Sequence, residues 1–255
     1  MKINPNVLRK KVIDMVVAKQ SGHIGGAFSM AELTSVLYED YDIGGKDKLI
    51  LSKGHAVPII YAVLHELGQI TDNDLDLFRE IDSPLQGHPD KLRLPLMDAT
   101  TGSLGQGLSI AIGHSLGKKL KNEDGTIFCI LGDGELQEGQ VWEALMHYPK
   151  TKMNNMICII DWNKGQNDGY SKDFSIMYGN LEERISSFGW TTKVIDGHDM
   201  DSIRMSFETA EVDKPLCVIL DTVKGKGVSF MEHPSWHCKV PNEKEYEIAM
   251  KELGV

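Results

Sequence analysis

The sequence contains few cysteines, few aromatic residues and no excess of positive charge. Its 255 residues include four cysteines and 7% aromatic residues, and the formal net charge is −10. No C-x-x-C pair is present, which argues against a structural zinc site of the usual spacing. The net negative charge argues against nonspecific binding to nucleic acid, although a metal ion or helix N-termini could still attract an anionic ligand.

Long apolar segments are also absent. No apolar run approaches the length that a membrane-spanning helix requires, and residues 1–5 lack the apolar core of a signal peptide. We therefore expect a cytoplasmic protein that does not contact membranes, in which Cys129, Cys158 and Cys217 behave as small buried hydrophobes. The length allows one large domain with an ample core, and we predict a single domain over residues 1–255.

Several well-known catalytic motifs are missing. The sequence contains neither the G-x-G-x-x-G dinucleotide fingerprint nor the G-x-x-x-x-G-K-[ST] phosphate loop. It also lacks a G-x-S-x-G nucleophile elbow, and no cysteine lies in an activating environment. If the protein is an enzyme, its chemistry must therefore come largely from a bound cofactor.

Four apolar segments rich in β-branched residues alternate with helical patterns in the second half of the chain. They predict strands over residues 126–131, 156–161, 190–196 and 215–221. Strands separated by helix-sized segments are typical of right-handed parallel β-α-β units. The fold class is therefore predicted to be α/β, with a parallel sheet and helices on both of its faces.

The first half of the chain is predicted to be mostly helical. Helical periodicity covers residues 4–18 and 58–67. Ser29 and Glu32 have the spacing of a capping box, which predicts that another helix begins at Ser29. Residues 84–99 have little periodicity and are predicted to form a long surface loop, and such loops are usually functional.

Two polar residues follow successive predicted strands. Asp133 lies in Gly132-Asp133-Gly134 after the first strand, and Asn163 follows the second. The carboxyl ends of parallel strands meet at one edge of a sheet, where α/β proteins bind ligands. Carboxylate and amide oxygens suit Mg²⁺ when phosphate and water complete its coordination. Gly-Asp-Gly alone is also a common turn, but the pair together indicates a metal–diphosphate anchor.

Glycine-rich loops supply further candidate ligand-binding residues. The string TTGSLGQG over residues 100–107 precedes a predicted helix at 108–120, an arrangement that can bind phosphate through free backbone N–H groups. Four histidines lie in loops flanked by glycine, proline or tryptophan, where an imidazole can bind a ligand or transfer a proton. Each one singly could instead be structural. These histidines are His23, His55, His88 and His237.

Taken together, these features resemble the N-terminal, diphosphate-binding half of transketolase. The similarity extends over nearly the whole chain, and the matching strings occur in the order found in the family. They are SGHIGG (21–26), LSKGHA (51–56), QGHPD (86–90), TGSLGQG (101–107), GDGELQEG (132–139), DWN (161–163), DG (168–169) and KGKG (224–227).

The resemblance implies that thiamine diphosphate binds through a divalent metal, which could be Mg²⁺, Ca²⁺ or Mn²⁺. It also implies the metal ligands, namely the side chains of Asp133 and Asn163 and the main-chain oxygen of Gly165. The residues implied to contact the cofactor are His55, Gly102, Ser103, Leu104, Gly134, Glu138 and His237. Among them, Leu104 would pack on the cofactor, and Glu138 would lie near the subunit interface. The residues implied to be catalytic at the donor channel are His23, His88 and His237.

The resemblance also implies a second chain. A complete transketolase continues into a pyrimidine-binding domain that carries the glutamate activating the cofactor, whereas this sequence stops at Val255. It therefore resembles one subunit of a split transketolase, in which two copies of each chain form a heterotetramer. Such an enzyme transfers a two-carbon ketol unit between sugar phosphates, or between a related ketose donor and an aldose acceptor. We expect this chain to be inactive alone.

Two residues depart from the family pattern. Gly165 and Asn167 stand where family members usually have apolar residues that pack on the cofactor, a loss of about 1–3 kcal/mol of burial. The departure leaves open weaker cofactor binding or a site reshaped for an unusual substrate. Two other hypotheses also remain: a subunit of a thiamine-dependent 2-oxo acid enzyme, or a degenerate cofactor-binding or scaffolding subunit. The histidines argue against the first, and the Asp133–Asn163 pair argues against the second.

Overall fold

A parallel five-stranded sheet forms the centre of the computed structural model, which describes residues 2–174, 180–208 and 214–255. The strands are β1 (Lys48–Leu51), β2 (Ile127–Gly132), β3 (Met156–Trp162), β4 (Gly165–Gln166), β5 (Gly169–Tyr170), β6 (Thr191–Asp196) and β7 (Leu216–Asp221). Five of them form the sheet in the order β1-β2-β3-β7-β6, and every pairing is parallel. The short strands β4 and β5 form a separate antiparallel pair.

Helices cover both faces of this sheet. They are α1 (Pro5–Lys19), α2 (Gly25–Phe28), α3 (Ala31–Asp40), α4 (Pro58–Glu66), α5 (Asp72–Asp76), α6 (Gly107–Lys121), α7 (Gly139–His147), α8 (Ser171–Phe174), α9 (Leu181–Ser187), α10 (Met200–Glu208) and α11 (Glu243–Leu253). The predicted α/β fold is therefore confirmed. No helix in the described part of the chain is long and apolar enough to cross a membrane.

The central strands are buried on both sides. In β2, Phe128 packs into one hydrophobic cluster, whereas the next residue, Cys129, packs into the cluster on the opposite face. A parallel sheet covered on both faces requires such nearly continuous apolar strands. Cys129, Cys158 and Cys217 occupy neighbouring positions across β2, β3 and β7, and all three are fully buried free thiols, as predicted.

The four predicted strands form within about a residue of their expected bounds as β2, β3, β6 and β7. The sequence did not indicate β1, which is only four residues long and pairs with one neighbour, β2. Residues 84–99 contain neither helix nor strand, in agreement with the predicted loop. The prediction therefore succeeded where the strands are long and doubly covered.

The predicted helix start at Ser29 is wrong. Helix α2 ends at Phe28, and Met30 is the N-cap of α3. The Ser29 hydroxyl instead donates a hydrogen bond to Asp161 Oδ2 at 2.6 Å, and Glu32 accepts two hydrogen bonds from Arg9 at 2.8 and 2.7 Å. Hydrogen bonds to charged groups are stronger than those of a neutral cap, so these buried contacts replace the capping box.

Candidate active site

A cavity of about 270 Å³ lies at the carboxyl edge of the central strands. The segments that follow β1, β2 and β3 contribute to its wall, as expected for an open parallel sheet. Most of the predicted site residues line it: His55, Leu104, Asp133, Gly134, Glu138, Asn163, Gly165 and His237. The remaining predicted residues, His23, His88, Gly102 and Ser103, are not among its lining residues.

Three of the four predicted histidines form a tight group, and the fourth adjoins it. The ring centroid of His23 lies 5.4 Å from that of His55 and 5.2 Å from that of His237. The His55 and His237 rings are 5.0 Å apart. His88 is more exposed, and its ring centroid is 6.2 Å from that of His23. The structure thus brings together residues that are spread over most of the sequence.

These histidines are held as neutral imidazoles. Burial is the main cause that lowers the pKa of His23 to about 4, of His55 to about 2 and of His237 to about 3. The nearby positive charges of Lys53 and Lys224 lower these pKa values further. A neutral imidazole has one donor and one acceptor nitrogen, so each ring can bind a hydroxyl group and accept a proton from it.

Two predicted residues adjoin the cavity through the glycine-rich loop. Gly102 packs under His88, because a Cβ atom added to Gly102 would lie 3.2 Å from the imidazole ring. Ser103 is exposed beside it. Leu104, the next residue, lines the cavity and is half-buried. On the opposite side, Glu138 is exposed at the N-cap of α7, in a position open to another chain.

Asp133 is a buried carboxylate at the end of β2. Its Oδ1 atom accepts a hydrogen bond from the Gly134 N–H at 2.8 Å, and its Oδ2 atom accepts one from the Ser171 hydroxyl at 2.8 Å. Burial raises the pKa of Asp133 to about 6. Each carboxylate oxygen has two lone pairs, so both oxygens retain capacity for a cation.

Asp161 fixes the orientation of the Asn163 amide. The Asn163 Nδ2 atom donates to Asp161 Oδ2 at 2.7 Å, and the Oδ1 atom accepts from the Gly165 N–H at 3.1 Å. An ionised carboxylate can only accept, so the amide oxygen must face away from Asp161. Although burial raises it, the pKa of Asp161 is held low by the charge and hydrogen bond of Lys53.

Two buried lysines were missed in the search for site residues. Lys53 is 1% exposed and contacts Asp161 and the Gly26 carbonyl oxygen. Lys224 donates to the Gly165 carbonyl oxygen at 2.8 Å, and its Nζ atom lies 2.8 Å from His237 Nδ1. Burial lowers the pKa of Lys224 to about 8. Both lysines line the cavity, so a chain with a net charge of −10 places two cations there.

The same lysine explains the departure at Gly165. A Cβ atom added to Gly165 would lie 2.8 Å from Lys224 Cδ and 3.4 Å from a ring carbon of Pro234. The space that a larger side chain would need is therefore filled by the aliphatic part of Lys224. Asn167 also lines the cavity but is exposed, so it does not replace the apolar contact.

The donor atoms present fit a metal–diphosphate group. Asp133 Oδ, Asn163 Oδ1 and the Gly165 carbonyl supply hard oxygen ligands of the kind that Mg²⁺ and Ca²⁺ prefer. Within the described ranges, no three His, Cys, Asp or Glu side chains converge as a metal site, so the amide and carbonyl oxygens are needed. The buried Nε2 atom of Gln166, also at this cavity, has no hydrogen-bond partner, which leaves a donor for a polar ligand.

Comparison with known proteins establishes the family. The model of the family described as "Transketolase, thiamine diphosphate binding domain" matches residues 2–255. The chain belongs to the transketolase family. The structures of transketolases agree with its fold: the enzyme from Campylobacter jejuni has a TM-score of 0.91 and 31% identity, covering 98% of this chain and 42% of that one. For a Pichia stipitis transketolase the TM-score is also 0.91, at 26% identity.

Two relatives in this transketolase family match the chain over nearly their whole length. One is the 6-deoxy-6-sulfo-D-fructose transketolase subunit of a Clostridium species, 37% identical over 97% of this chain and 94% of its own. Another is an apulose-4-phosphate transketolase subunit of Phocaeicola vulgatus, 33% identical over 96% and 91%. Human transketolase is 37% identical, but this chain spans only 40% of its length. The chain is thus similar in extent to separate transketolase subunits.

Proposed function

We propose that this chain is the diphosphate-binding subunit of a two-chain transketolase, a transferase that moves a two-carbon ketol unit from a ketose donor to an aldose acceptor. The observation that carries the proposal is the cavity in which Asp133, Asn163, two buried lysines and the histidine group converge. The family to which the chain belongs binds thiamine diphosphate in this domain. We propose that residues 1–255 act as one domain in the cytoplasm.

The cavity residues divide into a metal group and a diphosphate group. Asp133, Asn163 Oδ1 and the Gly165 carbonyl would hold Mg²⁺, with Ca²⁺ or Mn²⁺ as alternatives. His55, Gly134, His237 and the two lysines would bind the diphosphate, while Gly102, Ser103 and Leu104 would border the cofactor. When bound, thiamine diphosphate supplies the electron sink for breaking and forming the carbon–carbon bond.

The histidines would act on the substrate. His23, His88 and His237 are proposed as catalytic residues, because neutral imidazoles can hold the hydroxyl groups of a ketose and transfer protons to and from them. A 2-oxo acid would offer fewer hydroxyl partners for such a group. This argues for a hydroxylated donor, such as a sugar phosphate or a related ketose.

A second chain would complete the site. Its pyrimidine-binding domain would supply the glutamate that activates the cofactor, beside the exposed Glu138 at the rim. The proposal draws support from the two relatives of similar length, both of which are named as transketolase subunits. We propose a heterotetramer with two copies of each chain.

Binding of magnesium and thiamine diphosphate tests the proposed site. The chain, copurified with its partner, is titrated with the cofactor in the presence of Mg²⁺, alongside the Asp133→Asn variant. We expect saturable binding to the complex and at least about 10-fold weaker binding to the variant, because a charged metal ligand is lost. Binding without any contribution to turnover would favour the scaffolding hypothesis.

A donor screen tests the substrate class. The complex is assayed with xylulose 5-phosphate, 6-deoxy-6-sulfofructose, apulose 4-phosphate and pyruvate as donors. Preference for a ketose other than the pentose phosphate would support a site reshaped around Gly165 and Asn167. Ordinary cofactor affinity with pentose phosphates as the best donors would count against a reshaped site, and activity with pyruvate would favour the 2-oxo acid hypothesis.

A further inference from the structure

A single buried carboxylate joins three separate segments of the cavity wall. Glu135 is 1% exposed and lies two residues after Asp133. Its Oε1 atom accepts hydrogen bonds from the Gly105 N–H at 2.9 Å and from the Ser52 hydroxyl. Its Oε2 atom accepts a third hydrogen bond from the Gly132 N–H at 3.1 Å. The three donors come from the loop after β1, the end of β2 and the glycine-rich loop before α6.

Each donor is next to a residue that lines the cavity. The chain neighbours of Ser52, Gly105 and Gly132 are Lys53, Leu104 and Asp133. A lysine, an apolar side chain and a carboxylate from three loops are thus placed relative to one another through one side chain. Glu135 is not needed to form any strand, since β2 ends at Gly132.

The hydrogen-bond directions require an ionised acceptor. The Ser52 oxygen already accepts the Gly107 N–H at 3.1 Å, so its own hydrogen is free to point to Glu135. The Gly105 and Gly132 amides can only donate. Three donors therefore face one carboxylate, which has room for all of them. A carboxamide in its place would turn an NH₂ group toward at least one buried donor.

We infer that Glu135 is a positioning residue that holds Lys53, Leu104 and Asp133 in the arrangement that binds the diphosphate and its metal. This role rests on the proposed function, because it concerns the cavity in which the cofactor is proposed to bind. Glu135 acts through the backbone and the Ser52 hydroxyl.

The test compares Glu135→Gln with a matched control, Asp47→Asn. Asp47 is also a buried carboxylate, 3% exposed, that accepts two backbone N–H groups, from Thr126 at 2.7 Å and Asp42 at 3.0 Å. It lies before β1, at the opposite edge of the same sheet. Each substitution places an NH₂ group against a buried N–H donor, so both variants should lower the melting temperature. Only Glu135→Gln changes the cavity wall.

Magnesium pyrophosphate is the probe, because it samples the diphosphate site that lies on this chain. Calorimetric titration of the full chain should give a Kd about 10-fold higher for Glu135→Gln than for the wild type, and a Kd within about twofold for Asp47→Asn. Equal Kd values for the wild type and Glu135→Gln would overturn the positioning role. Absence of binding to the wild type would instead refute the proposed diphosphate site, and the positioning role with it.

A second variant covers the case in which Glu135→Gln fails to fold. Ser52→Ala removes one of the three donors and leaves both amide hydrogen bonds. We expect a Kd about threefold higher than that of the wild type, together with an altered amide proton shift of Gly105 in the NMR spectrum. An unchanged Kd and an unchanged Gly105 shift would contradict the inference.

Discussion

Replacing Asp161 with asparagine should destabilise the fold severely. Asp161 is fully buried and accepts hydrogen bonds from Lys53 and Thr222, from Ser29 at 2.6 Å and from Asn163 at 2.7 Å. The asparagine would leave the Lys53 ammonium group, 1% exposed, without a charged partner. Removing one member of a buried ion pair costs about 3–5 kcal/mol, which is a large fraction of the stability of an ordinary domain.

Urea unfolding at neutral pH measures this loss against a surface control. Asp221→Asn breaks the Lys164–Asp221 ion pair, which lies at the same edge of the sheet, but its side chains are 39% and 53% exposed. Exposed pairs contribute about 0–1 kcal/mol, so this variant should stay close to the wild type. A loss below about 1 kcal/mol for Asp161→Asn, or equal losses for both variants, would refute the account of Asp161 as a buried charge partner.

Two further predictions concern Glu32 and Gly165. Glu32→Gln should cost about 3 kcal/mol at pH 7, because Arg9 would lose its buried partner. Although burial raises it, the pKa of Glu32 is held below its usual value of 4.5 by the neighbouring imidazole and by Arg9. The stabilisation is therefore present above pH 4.5 and lost as pH falls through the lower folded-state value, so the difference in unfolding free energy should shrink in acid; a constant difference would contradict this. Gly165→Val should displace Lys224, lower stability by about 1–3 kcal/mol and weaken binding of magnesium pyrophosphate. In contrast, Gly113→Ala, where an added Cβ meets no atom within 4 Å, should leave both unchanged or slightly raise stability; equal effects of the two substitutions would be evidence against a filled space at Gly165.

The sequence was sufficient to predict the parts of the fold that depend on local pattern. Strands β2 and β3 are long and apolar because both of their faces are covered, and this pattern is visible without tertiary information. Asp133 and Asn163 could be placed together because both follow strands of one parallel sheet. The short edge strand β1 offered no such pattern.

The buried charges could not be predicted in the same way. Lysines are almost never buried without a partner, and the partners of Lys53 and Lys224 come from distant segments, at separations of 108 and 59 residues. The capping box at Ser29 was a sound local pattern, but Asp161, 132 residues away, takes the hydroxyl as a donor. Glu135 lies within a string that matches the family, yet its three donors become apparent only when the loops are assembled.

The central claim is that this chain holds the diphosphate half of a cofactor site completed by a second chain. The most direct test is to isolate the chain from its natural source with whatever copurifies, and to titrate the chain alone and the complex with thiamine diphosphate and Mg²⁺. The account predicts a stoichiometric second chain, saturable cofactor binding by the complex and ketol transfer only when both chains are present. Ketol transfer by the purified chain alone, or a complex that never binds the cofactor, would contradict it.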